Sequence, residues 1–326
     1  MTCRTFLVTG GTGFLGAAFV RRLVTDGHNV RVLDNNVRGT SRRLADIAQT
    51  LEFVEGDVRD TEAVSKAMSG VDVVVHLAAI NGTEFFYSKP ELVLDVGVRG
   101  MLAIIDASRE NGVRELIVAS SSEVYQTPPR NPADETVPLI IPDVQNPRFS
   151  YGGSKIISEL LAINYGRRSF ERVMIFRPHN VYGPDMGYEH VVPQFCLRAI
   201  EHANLYPTGS LPFPIQGDGT QTRSFTYIDD MIEGLIAIIE KGRHLEIYNV
   251  GNPEELTIAE VARLIVHEFG REPELQPSHL PKGSVLRRRP DIAKLQRLGF
   301  TPKVPFATGI KPVVTWYREN YHSSAP

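Results

Sequence analysis

A glycine-rich segment near the start of the chain most strongly limits the folds that are open to it. Residues 5–9, TFLVT, are predicted to form a short buried strand, and GGTGFLG at 10–16 follows directly. Apolar residues then recur at helical spacing from Phe19 to Val24. Glycines at this spacing between a strand and a helix allow a tight turn that brings backbone N–H groups against a pyrophosphate. The segment therefore predicts the first unit of a dinucleotide-binding fold.

Strands and helices are predicted to alternate through the first half of the chain. After the strand at 5–9, patterns typical of strands lie at 29–34, 51–56, 71–77, 116–120 and 173–177. Helical patterns lie between them at 60–69, 91–111 and 151–168. The near-continuous apolar run at 71–77 is typical of a strand buried on both faces. This alternation predicts an α/β fold with a doubly wound parallel sheet, and residues 1–178 are expected to form an NAD-binding Rossmann domain.

The sequence changes character after about residue 178. Proline and glycine become dense between 183 and 220, and the remaining strand pattern, Glu246–Val250, is short. Helical patterns return at 190–203, 229–241, 257–269 and 309–320. Residues 179–326 are therefore predicted to form a smaller, mixed substrate-binding region, whose strands and helices are free to interleave with the first domain.

Composition and charge argue against several classes of protein. The net charge of −3 comes without the basic stripe of a nucleic-acid-binding surface, and Arg42-Arg43 is interpreted as an exposed turn. No apolar run is long enough to span a membrane, and no secretory signal is recognisable. Cys3 and Cys196 match no metal-binding spacing. These observations predict a cytoplasmic protein with free thiols, no metal site and neither a nucleic-acid nor a membrane partner.

An acidic residue after the second strand indicates which dinucleotide is bound. Asp34 ends this strand, where a carboxylate accepts hydrogen bonds from both ribose hydroxyls and repels a 2′-phosphate. NAD is therefore expected rather than NADP, although Arg38 is close enough in sequence to weaken the preference. Asp57, after the third strand, is expected either to meet the adenine or to cap the next helix.

Catalytic side chains are predicted in the segment YGGSK at 151–155. Tyr151 and Lys155 are one helical turn apart and therefore share a face, and the segment follows a serine-rich strand end at 120–122. Tyrosine has an ordinary pKa of about 10. A neighbouring ammonium and the positive nicotinamide ring would lower the pKa of Tyr151. Tyr151 is therefore predicted to be a general base near neutral pH, and Lys155 to hold the nicotinamide ribose as well.

Taken together, these and other segments resemble the extended short-chain dehydrogenase/reductase family of NAD-dependent nucleotide-sugar epimerases, dehydratases and decarboxylases. The matches occur in family order over nearly the whole chain, and they are specific for the superfamily rather than for one reaction. They are TGGTGFLG at 9–16, LDNN at 33–36, GDVRD at 56–60, HLAA at 76–79, SSSEVY at 120–125, YGGSK at 151–155, RPHNVYGP at 177–184, GDGTQTRSFTYIDD at 217–230 and RRPD at 288–291.

The resemblance implies roles for the matching residues. Tyr151 takes the proton of the sugar C4 hydroxyl while NAD takes the hydride, Lys155 lowers the pKa of Tyr151, and Ser121 shuttles the proton. Glu123 is either a further acid–base group or a structural hydrogen-bond partner. The implied cofactor-binding residues are Gly10, Gly13, Phe14, Leu15, Asp34, Asn35, Asp57, Val58, Leu77, Ala78, Ala79, Ser120, Tyr151, Lys155 and Pro178. The implied residues for the nucleotide-diphosphate sugar are Ser122, Asn180, Val192, Arg223 and Arg288.

One further position departs from the family pattern, and two others allow more than one interpretation. Gly97 stands where the family usually has an asparagine that supports the active-site helix. His179 is expected either to contact the substrate or to cap a strand end. Val192 is expected either to lie against the nucleotide base or to pack in the core.

The fate of the shared 4-keto intermediate depends on few residues. Family dehydratases carry an Asp-Glu pair where this chain has Ser122-Glu123, which argues against water loss. The first prediction is an epimerase that inverts C4. The alternatives are a nucleotide-uronic acid decarboxylase, which Glu123 favours, a sugar ketoreductase and a non-catalytic NAD-binding regulator.

The resemblance also implies a homodimer. In the family, two long helices of each subunit form a four-helix bundle, and here they correspond to 91–111 and 151–168. The apolar residues Leu102, Ile105, Ile156, Leu160 and Leu161 on these helices fit either this interface or packing on the subunit's own sheet.

Overall fold

The computed structural model describes residues 3–280 and 285–321. Its strands are β1 (Thr5–Thr9), β2 (Asn29–Asp34), β3 (Glu52–Glu55), β4 (Val73–His76), β5 (Glu115–Ala119), β6 (Arg172–Pro178), β7 (Val181–Tyr182), β8 (Leu211–Gln216), β9 (Thr222–Ser224), β10 (Thr226–Tyr227), β11 (Glu246–Val250), β12 (Glu255–Thr257), β13 (Pro273–Ser278) and β14 (Arg287–Arg288). Its α-helices are α1 (Phe14–Thr25), α2 (Thr61–Met68), α3 (Thr83–Ser88), α4 (Pro90–Glu110), α5 (Ser150–Ser169), α6 (Val191–Leu205), α7 (Ile228–Lys241), α8 (Ile258–His267), α9 (Ala293–Gln296) and α10 (Phe306–Asn320). Short 3₁₀ segments lie at Ser41–Thr50, Ser122–Tyr125 and Pro147–Phe149.

A seven-stranded parallel sheet forms the centre of the molecule, with the strand order β11-β6-β5-β4-β1-β2-β3. The strand order reverses between β4 and β1, which is where a doubly wound sheet opens a crevice at its carboxyl ends. The predicted α/β fold is therefore confirmed. The six predicted strands of the first half are all present, and β11 adds a seventh from the second half of the chain.

Alternating side chains of the strands feed two apolar layers. Phe6 and Val8 of β1 pack into the layer that contains α1 and α7, whereas Leu7 packs into the layer that contains α4 and α5. Because both faces are covered, neither side of the sheet needs polar residues, which explains the near-continuous apolar runs. None of the helices in the described part of the chain is long and apolar enough to cross a membrane.

The smaller region has its own apolar core, built by α6, α8 and α10 around the parallel pair β8–β13. Phe213 of β8 and Phe306 at the start of α10 are fully buried there. The strand β8 was not expected, because its sequence LPFPIQ contains two prolines. It lies in a two-stranded sheet, where a strand tolerates proline because only one of its edges is paired.

A small sheet, β12-β9-β14, joins three segments that are far apart in sequence. In its register, Arg288 of β14 pairs with Arg223 of β9. This pairing places two arginines side by side, and Arg288 contacts Glu123 of the site described next.

Candidate active site

The carboxyl ends of the central strands open into one cavity of about 630 Å³. Every residue predicted to bind the cofactor lines this cavity, from Gly10 to Pro178. Among the residues predicted for catalysis or the sugar, Ser121, Ser122, Glu123, Asn180 and Val192 also line it. Arg223 and Arg288 stand behind Glu123, outside the wall. Contact of these residues with bound molecules stays a prediction.

The glycine turn has the shape that a bound pyrophosphate requires. Gly10 has φ +71°, and a Cβ atom on it would lie 2.8 Å from the backbone nitrogen of Ala78. A Cβ on Gly16 would lie 2.1 Å from the Gly10 carbonyl oxygen. The helix α1 begins at Phe14 and no side chain caps its N-terminus, so its first N–H groups are available at the cavity. Such a terminus is an anion site, which fits a dinucleotide.

Two carboxylates mark the adenosine end of the cavity. Asp34 accepts hydrogen bonds from the backbone nitrogens of Thr12, at 3.0 Å, and Asn36, at 2.9 Å, which fixes the carboxylate while each oxygen keeps lone-pair capacity. Hydrogen bonds from Arg59 hold the pKa of Asp57 below its usual range. The cap of α2 is Asp60. The capping alternative for Asp57 is therefore wrong, and its carboxylate lines the cavity instead.

Arginines after β2 pair with acidic residues of the smaller region. Arg38 forms two hydrogen bonds to Glu189, at 2.5 and 2.6 Å. Arg43 is bonded to the Asp185 carboxylate at 3.0 Å, and Arg42 reaches the same carboxylate at 3.1 Å. The interpretation of Arg42-Arg43 as an exposed turn is therefore wrong for Arg43, whose side chain is 13% exposed.

Tyr151 lies in the first turn of α5, buried against Phe86, whose ring stacks on it with centroids 5.1 Å apart. Burial raises the pKa of Tyr151 to about 12, and the Ser121 hydroxyl opposes this rise. The lowering expected from sequence also depends on the positive nicotinamide ring, and it stays a prediction. In the protein alone the phenol is therefore protonated at neutral pH, and it needs added positive charge in the cavity to become a base.

Lys155 is fully enclosed beneath the tyrosine. Its Nζ donates to the carbonyl oxygen of Ala119 at 2.8 Å and lies 5.8 Å from the centroid of the Tyr151 ring. Burial lowers the pKa of Lys155 to about 8. At neutral pH most of this lysine is therefore charged, which places a positive charge 5.8 Å from the centroid of the Tyr151 ring.

Glu123 meets a cluster of arginines at the sugar side of the cavity. Arg288 approaches its carboxylate to 2.5 Å. Burial by itself raises the pKa of Glu123, but Arg288, Arg148 and Arg223 outweigh this effect and leave it below the usual range. Burial and Arg288 lower the pKa of Arg223 to about 10. Glu123 is therefore an ionised carboxylate near neutral pH rather than a proton donor.

A buried polar network behind the site was missed from sequence. Arg177 forms an ion pair with Glu159 at 2.6 Å and donates to the Tyr125 hydroxyl at 2.7 Å. Tyr125 in turn donates to Asn249 at 2.8 Å, and Ser120 donates to Glu159. The network ties α5 to β5, β6 and β11. One signal was available: Glu159 follows Lys155 by one helical turn, on the face that is buried.

The remaining open positions are decided by packing. His179 is fully buried, its Nε2 lies 3.2 Å from the Asn249 side chain, and burial lowers its pKa to about 3. It does not line the cavity, so the substrate-contact alternative is wrong. Val192 is 1% exposed and packs in the core of the smaller region while also lining the cavity. A Cβ on Gly97 would lie 2.8 Å from Ser154, so glycine allows α4 and α5 to pack closely.

Comparison with known proteins shows where this architecture belongs. The model of the NAD dependent epimerase/dehydratase family matches residues 6–251. A UDP-N-acetyl-alpha-D-glucosaminuronate decarboxylase of Bacillus cytotoxicus is 32% identical over 96% of this chain and 97% of its own.

Two solved structures superimpose over 97% of this chain. A dTDP-glucose 4,6-dehydratase of Streptomyces venezuelae, crystallised with NAD bound, has 32% identity, a TM-score of 0.85 and 97% coverage of its own chain. A UDP-glucose 4-epimerase of Thermotoga maritima, crystallised with UDP-glucose, has 27% identity, a TM-score of 0.85 and 99% coverage of its chain. The cofactor of this site is accordingly NAD.

Proposed function

The chain belongs to the NAD dependent epimerase/dehydratase family, and on this premise we propose that it decarboxylates a nucleotide-linked uronic acid. The observation that carries the proposal is the ion pair between Glu123 and Arg288 beside Ser121 and Tyr151. The sequence alone favours C4 inversion, whereas this ion pair favours decarboxylation.

The charge at this end of the cavity suits an anionic sugar. The Glu123 carboxylate lines the cavity, and three guanidinium groups outside the wall act on it electrostatically, those of Arg148, Arg223 and Arg288, so the cluster has excess positive charge. Arg148 has a buried Nε without a partner among the described residues. Guanidinium groups bind phosphate and carboxylate oxygens through paired hydrogen bonds. A uronic acid nucleotide presents both kinds of anion, whereas a neutral sugar nucleotide presents only the diphosphate.

The same pair argues against water loss. Elimination of a hydroxyl group needs an acid that protonates the leaving oxygen. Glu123 is held as a carboxylate by Arg288, and Ser122 beside it has no acidic proton to give. A dehydratase mechanism therefore lacks its proton donor at this position.

The proposed reaction begins at C4 of the sugar. When bound, NAD would supply the hydride acceptor and donor that the reaction needs at C4. Tyr151, with Ser121 as a relay, removes the proton of the C4 hydroxyl, and the Lys155 ammonium favours the phenolate that performs this step. The product is a ketone at C4, which makes the carboxylate on C5 a β-keto acid.

Carbon dioxide then leaves without further oxidation. The bond between C5 and the carboxyl carbon breaks, and its electron pair moves to the C4 oxygen, next to the Tyr151 hydroxyl, which stabilises the developing negative charge by hydrogen bonding. C5 takes up one proton from water in the cavity. When C4 regains its hydride, Tyr151 gives back the proton to the C4 oxygen, so the tyrosine and the redox state of the site are restored.

C4 inversion remains a second candidate, supported by the likeness to the Thermotoga maritima epimerase. It uses the same Tyr151 and Ser121 and needs no third acid. In that case Glu123 and Arg288 would serve only to hold the small sheet against the cavity.

A homodimer is part of the proposal. On α4 and α5, Leu94, Ile157 and Leu160 are 40%, 37% and 58% exposed, which supports an apolar face that a second copy would cover. Ile105, by contrast, is fully buried on the subunit's own sheet. Sedimentation equilibrium tests the dimer, and a monomer at micromolar concentration would refute it.

The decisive experiment is incubation of the purified protein with UDP-, GDP-, CDP- and dTDP-linked uronic acids and neutral sugars, with products identified by mass spectrometry and NMR. We expect loss of carbon dioxide from a uronic acid. Arg288→Met should reduce this loss more than Arg287→Met, because Arg287 is an exposed side chain that pairs with Glu255 rather than with Glu123. An unchanged mass with inverted C4 would replace the decarboxylase by the epimerase.

A further inference from the structure

The pairing of Arg38 with Glu189 lies at the edge of the cofactor cavity. Both residues line the cavity together with Asp34 and Asn35. Arg38 comes from the segment after β2, whereas Glu189 immediately precedes the turn into α6, so the contact crosses from the sheet domain to the smaller region. The two hydrogen bonds, at 2.5 and 2.6 Å, join the two oxygens of the carboxylate to two different nitrogens of the guanidinium.

The position of Arg38 is fixed from a second side. Its guanidinium carbon lies 4.8 Å from the centroid of the Phe85 ring, in the first turn of α3. Gly82, just before this helix, leaves room for the carboxylate, since a Cβ there would lie 2.1 Å from Oε2 of Glu189. The arginine is therefore held on a ring and in a bidentate pair at once, rather than extending freely into solvent.

An arginine in the segment after β2 is suitably placed to bind the 2′-phosphate of NADP. The phosphate of NADP carries between one and two negative charges, and a guanidinium binds it through paired hydrogen bonds. Asp34 repels such a phosphate, but a free Arg38 would attract it. A guanidinium paired through two nitrogens with a carboxylate is locally charge-neutralised, and the bidentate face that would bind a phosphate is already occupied.

We propose that Glu189 is a cofactor-specificity residue that favours NAD over NADP. Because Glu189 pairs with Arg38, the arginine is not available as a counter-ion for a 2′-phosphate. The preference then has two parts. Asp34 repels the phosphate directly, and Glu189, from the other side of the cleft, removes the arginine that would compensate for this repulsion.

The neighbouring arginines follow the same arrangement. Arg42 and Arg43 both reach Asp185, which lies in the same loop as Glu189. Arg43 also donates to the Thr12 carbonyl oxygen at 3.2 Å, which anchors it to the glycine turn. Each arginine in the segment after β2 therefore has an acidic partner from the smaller region, and the loop that supplies these partners covers the adenosine end of the cavity.

Equilibrium binding of NAD⁺ and NADP⁺, measured by calorimetry without any sugar, tests the proposal independently of the reaction. Glu189→Gln keeps the shape of the side chain but removes its charge. We expect it to raise the affinity for NADP⁺ about tenfold and to change the affinity for NAD⁺ by less than about twofold. The double variant Glu189→Gln/Arg38→Gln should lose this gain, because the released guanidinium is what binds the phosphate.

A matched control is Glu233→Gln, which also removes an exposed carboxylate from an arginine pair but lies away from the cavity. Its ratio of NADP⁺ to NAD⁺ affinity should equal that of the wild type. Thermal unfolding of each variant verifies that the fold is intact, and Glu189→Ala serves as a second variant with the same expectation. An unchanged affinity ratio in both Glu189 variants, or a gain that survives removal of Arg38, would overturn the proposal.

Discussion

The cofactor side and the sugar side of the cavity are built in different ways. The cofactor side consists of consecutive strand ends and the turns that follow them, with Gly10, Asp34 and Asp57 each placed by its own strand. The sugar side joins segments near residues 121, 148, 223 and 288, and the last two meet because β9 and β14 pair. A site built from local turns can be predicted from short motifs. A site built from distant segments depends on the tertiary packing of the chain.

The two sides also differ in charge. The cofactor side offers carboxylates for ribose hydroxyls and an uncapped helix terminus for the pyrophosphate. The sugar side offers three arginines around one glutamate. Tyr151 and Lys155 lie where the two sides meet, so changes there separate chemistry from binding most clearly.

The largest expected effect is that of Tyr151→Phe. Turnover should fall by about 10²–10⁴-fold, because general acid–base catalysis at C4 is lost. The affinity for NAD⁺ should be retained, since the ring still stacks on Phe86. Kinetics and calorimetry measure the two quantities. Tyr165→Phe, on the exposed face of the same helix, is the control. Turnover that survives in Tyr151→Phe would contradict the assignment of the base.

The next largest effect concerns the buried network behind the sugar side. Arg177→Met leaves Glu159 buried without its partner and should lower the free energy of unfolding by about 3–5 kcal/mol. Arg114→Met is the matched control, because its pair with Glu171 is 65% and 58% exposed and its loss should hardly change the free energy of unfolding. Urea unfolding measures both. Equal costs would show that the buried pair contributes no more to stability than a surface pair.

The smallest of the three effects is a pH-dependent gain in stability for Lys155→Met. Burial lowers the pKa of Lys155 from 10.5 to about 8, so the folded protein carries the charged lysine at a cost of roughly 3 kcal/mol. This cost is fully present below pH 8 and disappears as pH rises from about 8 through 10.5, because the folded state loses its proton first.

We therefore expect Lys155→Met to unfold at a higher urea concentration than the wild type at pH 7, by an amount reduced by the lost hydrogen bond to Ala119. The advantage should shrink at pH 9 and above. Lys66→Met, an exposed position on α2, should show no such trend. A difference between Lys155→Met and wild type that is independent of pH would mean that burial does not perturb this lysine.

Sequence patterns recovered most of the fold. Each predicted strand and helix is present, with ends that differ by three residues or fewer. The patterns succeeded because apolar periodicity and glycine turns are local consequences of burial on both faces of a sheet. Several short elements were missed: β7, β9, β10, β12, β13, β14, α9, the strand β8 and the helix α3. Prolines obscure β8, and α3 is only six residues long.

The residues of the candidate site were predicted more completely than their protonation states and ion-pair partners, because only the former follow from local patterns. Every predicted cofactor residue lines the cavity, but the rise that burial imposes on the pKa of Tyr151 was not anticipated. The motif shows that a lysine is near, whereas the degree of burial that raises the tyrosine pKa is a property of the packed protein. The ion pairs of Glu123 with Arg288 and of Arg38 with Glu189 join residues more than a hundred positions apart, so no local sequence motif predicts them.

The sequence by itself determined the α/β fold, the position of the glycine turn, the acidic residue after β2 and the tyrosine–lysine pair, because each is a short-range pattern with one physical reading. Only the tertiary structure decided which charges face each other. Ion pairing and desolvation depend on distances between segments that are remote in sequence. The ionised state of Glu123, the engagement of Arg38 and the burial of Lys155 therefore emerge only when the sheet, its helices and the smaller region are packed together.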